Sequence, residues 1–329
     1  MARLTLQPGG RAPSRPPAGL RTAPLQRSVR RPLTAALEAN PALLAWALVV
    51  PLLVVLAAVV GYPILSTLAL SFQDVSLIYP DRRAFVGPGN YLTFTKSADF
   101  WATVGRTAYF TVVSVGLELV LGFLVALLLN MRLRGWKVLR LLILIPWAIP
   151  TVVNGTLWQW IYNADYGALN GLLYSLGLID RYVAWLTSPS VAMNLVIVAD
   201  VWHEVPFVAL VLMAALAMLP DSLVEAAMMD GASRWHMFRH VVFPMLRPAV
   251  LVVLVIRTVE AFRVFDIIYV ITRGGPANAT TVLSYLTYLE TFSYLHMGRG
   301  AALSFLVSAF ILTLALVYVK LLYTEEASA

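Results

Sequence analysis

The sequence predicts an all-α polytopic membrane protein with six transmembrane helices. Three observations carry that expectation. The 329 residues are 60% hydrophobic and only 12% charged, with a mean hydropathy of +0.79, far outside the range of a water-soluble globule. The apolar residues are gathered into stretches long enough to cross a bilayer, each needing roughly 20 residues. Lys and Arg alternate between dense and sparse in the breaks between those stretches.

In chain order, residues 1–38 form a Pro- and Arg-rich tail, expected to be disordered and cytoplasmic. The first span, 39–73, carries no charge, and no small-residue cleavage site follows it, so it reads as a retained helix rather than a signal peptide. The second span, 107–131, holds one acid, Glu118, expected to be a buried hydrogen-bonding residue. The third, 141–164, is again uncharged. The fourth, 186–219, contains Asp200, His203 and Glu204; the fifth, 249–271, contains Arg257, Glu260, Arg263 and Asp266; the sixth is 300–319. A transmembrane domain over 39–322 and a short cytoplasmic tail over 323–329 complete the division.

The basic residues fix the expected orientation. Arg3, Arg11, Arg15, Arg21, Arg27, Arg30 and Arg31 precede the first span. Arg132, Arg134, Lys137 and Arg140 follow the second, Arg234, Arg239 and Arg247 follow the fourth, and Lys320 closes the sixth. The opposite breaks are poorer in Lys and Arg, which places both termini in the cytoplasm. The net charge of +7 is thus a topology signal rather than a nucleic-acid-binding patch.

Several chemistries are excluded. There is no cysteine, hence no disulfide or thiolate chemistry. His236 and His240 have i, i+4 spacing but lack a third ligand, so no metal site is expected. No G-x-x-x-x-G-K-[ST] loop and no hydrolytic triad spacing occur, so the chain is not expected to be an enzyme, and any chemical energy must come from a partner.

The break from 220 to 248 is polar and punctuated by small residues. Pro220 ends the fourth span, Asp221 is a natural N-cap, Ala226 and Ala227 make one face small, Gly231 stops the helix, Ser233 can cap a second one, and Pro244 leads back into the membrane. The expectation is a short surface helix within 221–237. Its spacing, Glu225-Ala226-Ala227, three residues, Gly231, nine residues, Val241-x-Phe243-Pro244, resembles the EAA signature of ABC importer permeases. Asp230, Ala232, Phe238 and Pro248 extend the similarity to the binding-protein-dependent sugar permeases. Val241 and Phe243 depart from the usual Ile and Leu but remain apolar. Thr272-Arg273-Gly274-Gly275-Pro276, Ala279-Thr280, Leu283, Tyr285, Tyr288 and Phe292 resemble the external segment before the last span of carbohydrate permeases. Gly89-Asn90-Tyr91, Phe100-Trp101 and Leu144-Ile145-Pro146-Trp147 with Pro150 agree.

The resemblance, over about 40 to 322, is to the "F/A"-type subunit of maltose, trehalose and glycerol-phosphate importers. It implies a type I importer permease fold whose 221–237 segment is a coupling helix, with Glu225, Ala226, Ala227, Asp230 and Gly231 docking on an ATPase. It implies a homologous second permease, an ATPase dimer that holds ATP and Mg outside this chain, and a soluble or lipid-anchored sugar-binding protein. It also implies a sugar site at Asp200, Glu204, Phe207, Glu260, Ala261 and Val264. There the family's asparagines are replaced by Asp200, Ala261 and Val264, and its glycine by Glu204.

Helical spacing independently puts Asp200, Glu204 and Phe207 on one stripe and Arg257, Glu260, Ala261 and Val264 on another, with Arg263 and Asp266 on a neighbouring face. A charge inside the bilayer costs about 2.5–3.5 kcal/mol on insertion scales, so these residues face a cavity or each other. Two readings follow: a polar, aromatic-lined sugar pocket, or ion pairs among Arg257, Glu260, Asp200 and Arg263 that hold two spans together. For the whole chain, the alternatives to an importer permease are a proton-coupled secondary transporter using the same carboxylates and a membrane scaffold.

Overall fold

The computed structural model describes residues 41–79, 81, 83–130 and 136–326. The expected tail 1–38 lies outside the described residues. Two compact units meet at the Gly61–Tyr62 boundary. In the first, α1 (Pro41–Leu56) passes into a single π turn, Ala57–Gly61.

The second unit opens with α2 (Tyr62–Ser71) and a feature that the all-α expectation missed, an antiparallel ribbon of β1 (Gln73–Val75) and β2 (Arg83–Phe85) pairing Asp74 with Ala84. Its three-residue strands carry no alternation long enough to detect. Next comes α3 (Gly89–Thr95), where Asn90 donates from Nδ2 to the carbonyls of Ser71 and Gln73, both at 2.9 Å, while the Tyr91 hydroxyl reaches Ser71 Oγ at 2.7 Å. The Gly-Asn-Tyr stretch is therefore a clasp on the end of α2.

The long helices are α4 (Ala98–Asn130), α8 (Pro189–Ala217), α11 (Phe243–Phe262) and α14 (Met297–Glu326). With the helix over Leu44–Ser71, and the α11 span reaching from Arg234 to Ile271, five helices among the described residues are long and apolar enough to cross a membrane. A sixth candidate is a bent pair. α5 (Trp136–Ala148) and α6 (Thr151–Ile161) meet at 94°, so the expected third span at 141–164 is a bent pair rather than one helix. Pro150 sits at the corner in an extended conformation and offers no amide hydrogen to continue the helix. α14 runs to Glu326, through the first residues of the expected tail at 323–329.

α7 (Ala168–Ser175) precedes α8, which packs along α4 as the central pair of the unit. A Cβ at Gly122 of α4 would come within 2.6 Å of Val208 of α8, so the glycine sets how closely the helices approach. Ala126, Val208, Leu212, Leu216, Leu246 and Val253 close one end of the α4–α8–α11 bundle. Phe110, Val196, Ile197, Ala261 and Ile268 fill the region toward the other end.

Between α8 and α11 lie α9 (Asp221–Met229) and α10 (Arg234–Met237), and a π turn at Phe238–Val242 leads into α11. Between α11 and α14 lie α12 (Asp266–Ile271), α13 (Leu283–Tyr288) and a π turn at Leu289–Ser293. Counting spans puts α9 and α13 on opposite sides of the membrane. The Gly-Gly-Pro stretch is the turn that its residues demand: Gly274 is left-handed at φ +79°, and Thr280 Oγ1 donates to the Gly275 carbonyl at 2.8 Å.

Candidate functional site

The fifth span does not stay helical through its charges. α11 stops at Phe262, where the amides of Arg263 and Val264 fold back on the carbonyls of Glu260 and Ala261, and α12 restarts at Asp266. This corrects the expectation that Arg263 and Asp266 lie on a neighbouring helical face. The break turns both toward the same cavity as Glu260. That cavity has a volume of about 320 Å³, at the low end of the range for small-molecule sites. Asp200, Glu204 and Phe207 reach it from α8, Glu260 and Ala261 from α11, and Val264 from the break. The structure thus brings all six expected residues together.

The broken span adds a third wall that was not expected. Trp147 stacks on Phe207 with ring centroids 5.8 Å apart. Thr151 Oγ1 donates to Asp266 Oδ2 at 2.6 Å. Asn154 donates to the Ala199 carbonyl at 3.3 Å, while its own buried Oδ1 has no partner. His203 Nε2 meets the Ile149 carbonyl at the corner and Nδ1 meets Glu204 Oε1, both at 2.9 Å, tying the bend to the acidic wall. The signal for this wall was the pair of prolines at 146 and 150, read as family markers rather than as a break.

Behind the cavity, Arg257 is buried and shared among three carboxylates. Its Nε donates to Glu118 Oε2 at 2.7 Å and its Nη2 to Glu118 Oε1 at 3.2 Å; its Nη1 lies 2.9 Å from Glu204 and 2.5 Å from Glu260. Glu118 is wholly buried, as expected of a structural hydrogen-bonding residue, and also accepts from Ser114 at 2.8 Å. Ser114 lies 2.5 Å from Asp200 as well. The two readings of the intramembrane charges therefore combine. Arg257 pairs with Glu260, yet the Glu260 side chain keeps 56% of its surface free. Among the described residues neither Asp200 nor Arg263 makes an ion pair within 4 Å, and both line the cavity. What remains is a concave surface with open carboxylate oxygens and aromatic faces, suited to a ligand rich in hydroxyl groups.

At the other expected site, Pro220 occupies the cap position and Asp221 is the first residue of α9, which corrects the assignment of Asp221 as N-cap. Gly231 has φ +77°, with nothing within 4 Å of a would-be Cβ, so backbone conformation rather than crowding demands the glycine. It divides the expected 221–237 helix into α9 and α10. Ser233 caps α10 by accepting from the His236 amide at 3.2 Å. Glu225, Ala226, Asp230 and Gly231 are exposed, whereas Ala227 faces inward, so only one of the small alanine pair is presented. Met228 and Met229 add an exposed apolar surface that the EAA spacing did not single out.

Residues 118–324, from the buried glutamate through the last helix, match the family of binding-protein-dependent transport system inner membrane components. The chain belongs to this family. Such proteins are the non-catalytic, multi-pass permease subunits of ABC transporters, as the sequence led one to expect. The trehalose/maltose transport system permease protein MalF of Thermococcus litoralis is 41% identical over 292 residues, covering 88% of this chain and 96% of that one. The trehalose transport system permease protein SugA of Mycobacterium tuberculosis is 38% identical over 278 residues, covering 84% and 88%. Among solved structures, a bacterial ABC transporter involved in import of the acidic polysaccharide alginate superimposes with a TM-score of 0.75 at 22% identity. The match spans 88% of this permease and 97% of that chain, and carries the fold.

Proposed function

We propose that this permease is one half of the translocation pathway of an ATP-driven importer for a neutral disaccharide of the trehalose or maltose type. The observation that carries the reading is the cavity between α6, α8 and the α11–α12 break, where the carboxylates of Asp200 and Glu260 line the same space as Trp147 and Phe207. Carboxylates accept strong hydrogen bonds from sugar hydroxyls, and aromatic faces cover the apolar face of a pyranose. The names of the relatives at 41% and 38% identity point to the same substrate class.

In this reading Asp200, Glu204, Phe207, Glu260, Ala261 and Val264 hold the sugar. Glu225, Ala226, Ala227, Asp230 and Gly231 belong to the segment that docks on the ATPase dimer. The other partners are a homologous permease and a sugar-binding protein, and both chain termini are cytoplasmic. ATP and Mg are held by the ATPase subunits. Family membership argues against the proton-coupled alternative, in which the same carboxylates would titrate during transport.

The test is reconstitution of the complex with its ATPase, partner permease and binding protein in proteoliposomes. ATP hydrolysis and uptake are then measured across a panel of labelled disaccharides. Stimulation by trehalose or maltose, with uptake strictly dependent on ATP, is the expected outcome. Uptake driven by a proton gradient in the absence of ATP would overturn the proposal.

A further inference from the structure

The segment between α11 and α14 contributes an aromatic series that the cavity alone does not explain. Phe265, at the break, lines the cavity. Its ring lies 5.5 Å from Tyr269 and 5.3 Å from Tyr288. Tyr269 and Tyr288 are themselves 5.3 Å apart, and Tyr288 is 5.6 Å from Phe292, a residue that is 66% exposed. Buried Tyr285 backs the series, stacked at 22° on Tyr288 and 6.3 Å from Phe265. Rings therefore follow one another without a gap from an exposed position, on the side of the membrane opposite α9, to the wall of the cavity. Inside it the Trp147–Phe207 pair offers a further stacked surface.

An aromatic belt at a membrane interface also collects Tyr and Trp, but such rings anchor the protein in the headgroup layer and need lead nowhere. Here one end of the series is the lining of a polar cavity. From this continuity we infer that Phe292, Tyr288, Tyr269 and Phe265 form a track along which a disaccharide passes, one pyranose face at a time, from the outer face to the intramembrane site. The inference rests on the disaccharide reading above and adds the route to it. Closely spaced rings allow the leading sugar unit to gain its next apolar contact before the trailing unit loses its last, which keeps any single step shallow.

The test replaces flat rings by an apolar side chain that fills space without presenting a face. Phe292→Leu and Tyr288→Leu, with Phe292→Trp and Tyr288→Phe as conservative counterparts, are reconstituted in the full complex. Uptake of labelled trehalose below saturation is normalised to assembled complex. Phe85→Leu, at an exposed residue on β2 whose ring stacks on none of the series, serves as control. Each Leu variant on the track is expected to lose about three- to tenfold in uptake, the scale of one aromatic contact. The Trp and Phe variants are expected to stay within about twofold of wild type, and Phe85→Leu to be unchanged. Leu variants that transport like wild type, or an equal loss in Phe85→Leu, would overturn the track while leaving the substrate reading standing. Failure of the wild-type complex to take up any disaccharide would overturn both.

Discussion

Arg257 is the residue on which the intramembrane site turns. A guanidinium shared by Glu118, Glu204 and Glu260 satisfies three carboxylates at once. Removing it strands carboxylates that are buried or nearly so, and breaking a buried pair in this way costs about 3–5 kcal/mol. Arg257→Ala is therefore expected to abolish assembly of the permease, read as the yield of intact complex after detergent extraction. Glu260 is different, because more than half of its side chain is free and Arg257 keeps two other partners without it. Glu260→Gln and Asp200→Asn should assemble normally and lose sugar-stimulated ATP hydrolysis at low sugar. Each lost charged hydrogen bond is worth about 1.5–3 kcal/mol, or on the order of ten- to a hundredfold in apparent affinity. Normal affinity in both variants would show that these carboxylates only hold the spans together.

At the scale of elements, two glycines do different work. Gly122 permits the α4–α8 approach, so Gly122→Val would drive a branched side chain into Val208 and cost about 1–3 kcal/mol of overpacking. Gly116, on the same helix with nothing within 4 Å of a Cβ, is the control, and Gly116→Val should be nearly silent. Thermal inactivation of the purified complex distinguishes them. Gly231 is open on all sides but left-handed, so the cost there is conformational, about 1 kcal/mol for Ala and less for Asn, which tolerates that region. Gly231→Asn should therefore keep more coupled ATP hydrolysis than Gly231→Ala. Equal activity of the two would mean that the left-handed turn is not what docking requires. Glu225→Lys, which reverses an exposed charge on α9, is expected to weaken binding of the ATPase subunits in pull-down without lowering membrane insertion.

For the whole molecule, the testable property is sidedness. Among the described residues, five single helices and one bent pair, counted as one span, give six candidate crossings. A reporter fused after Lys320 should then report the cytoplasm, and one inserted at Gly274 the outside, matching the excess of Arg and Lys beside the even-numbered breaks. A reporter at Ile149, at the corner of the bent pair, should be accessible from neither side in the assembled complex. A cytoplasmic signal at Gly274 would overturn the span count and would put α9 on the wrong face for an ATPase.

The sequence by itself determined the membrane class, the number of crossings and the family, because long uncharged runs and a fixed EAA spacing are local signals that need no packing partner. The stripes of Asp200, Glu204 and Phe207 and of Glu260 and Ala261 were also legible, since i, i+4 spacing survives wherever a helix is straight, whereas Val264, which the family resemblance named, reaches the cavity from the break. Helix breaks did not follow from periodicity. The 94° corner before Thr151 and the stop at Phe262 arise where proline geometry and competing backbone hydrogen bonds end the 3.6-residue repeat. Those breaks deliver Trp147, Asn154, Arg263 and Asp266 to the cavity. Which carboxylate Arg257 holds, and which stays open, was likewise decided only when α4, α8 and α11 met. Over 139 residues of separation between Glu118 and Arg257, no sequence spacing specifies a 2.7 Å hydrogen bond; only close packing of the helices does.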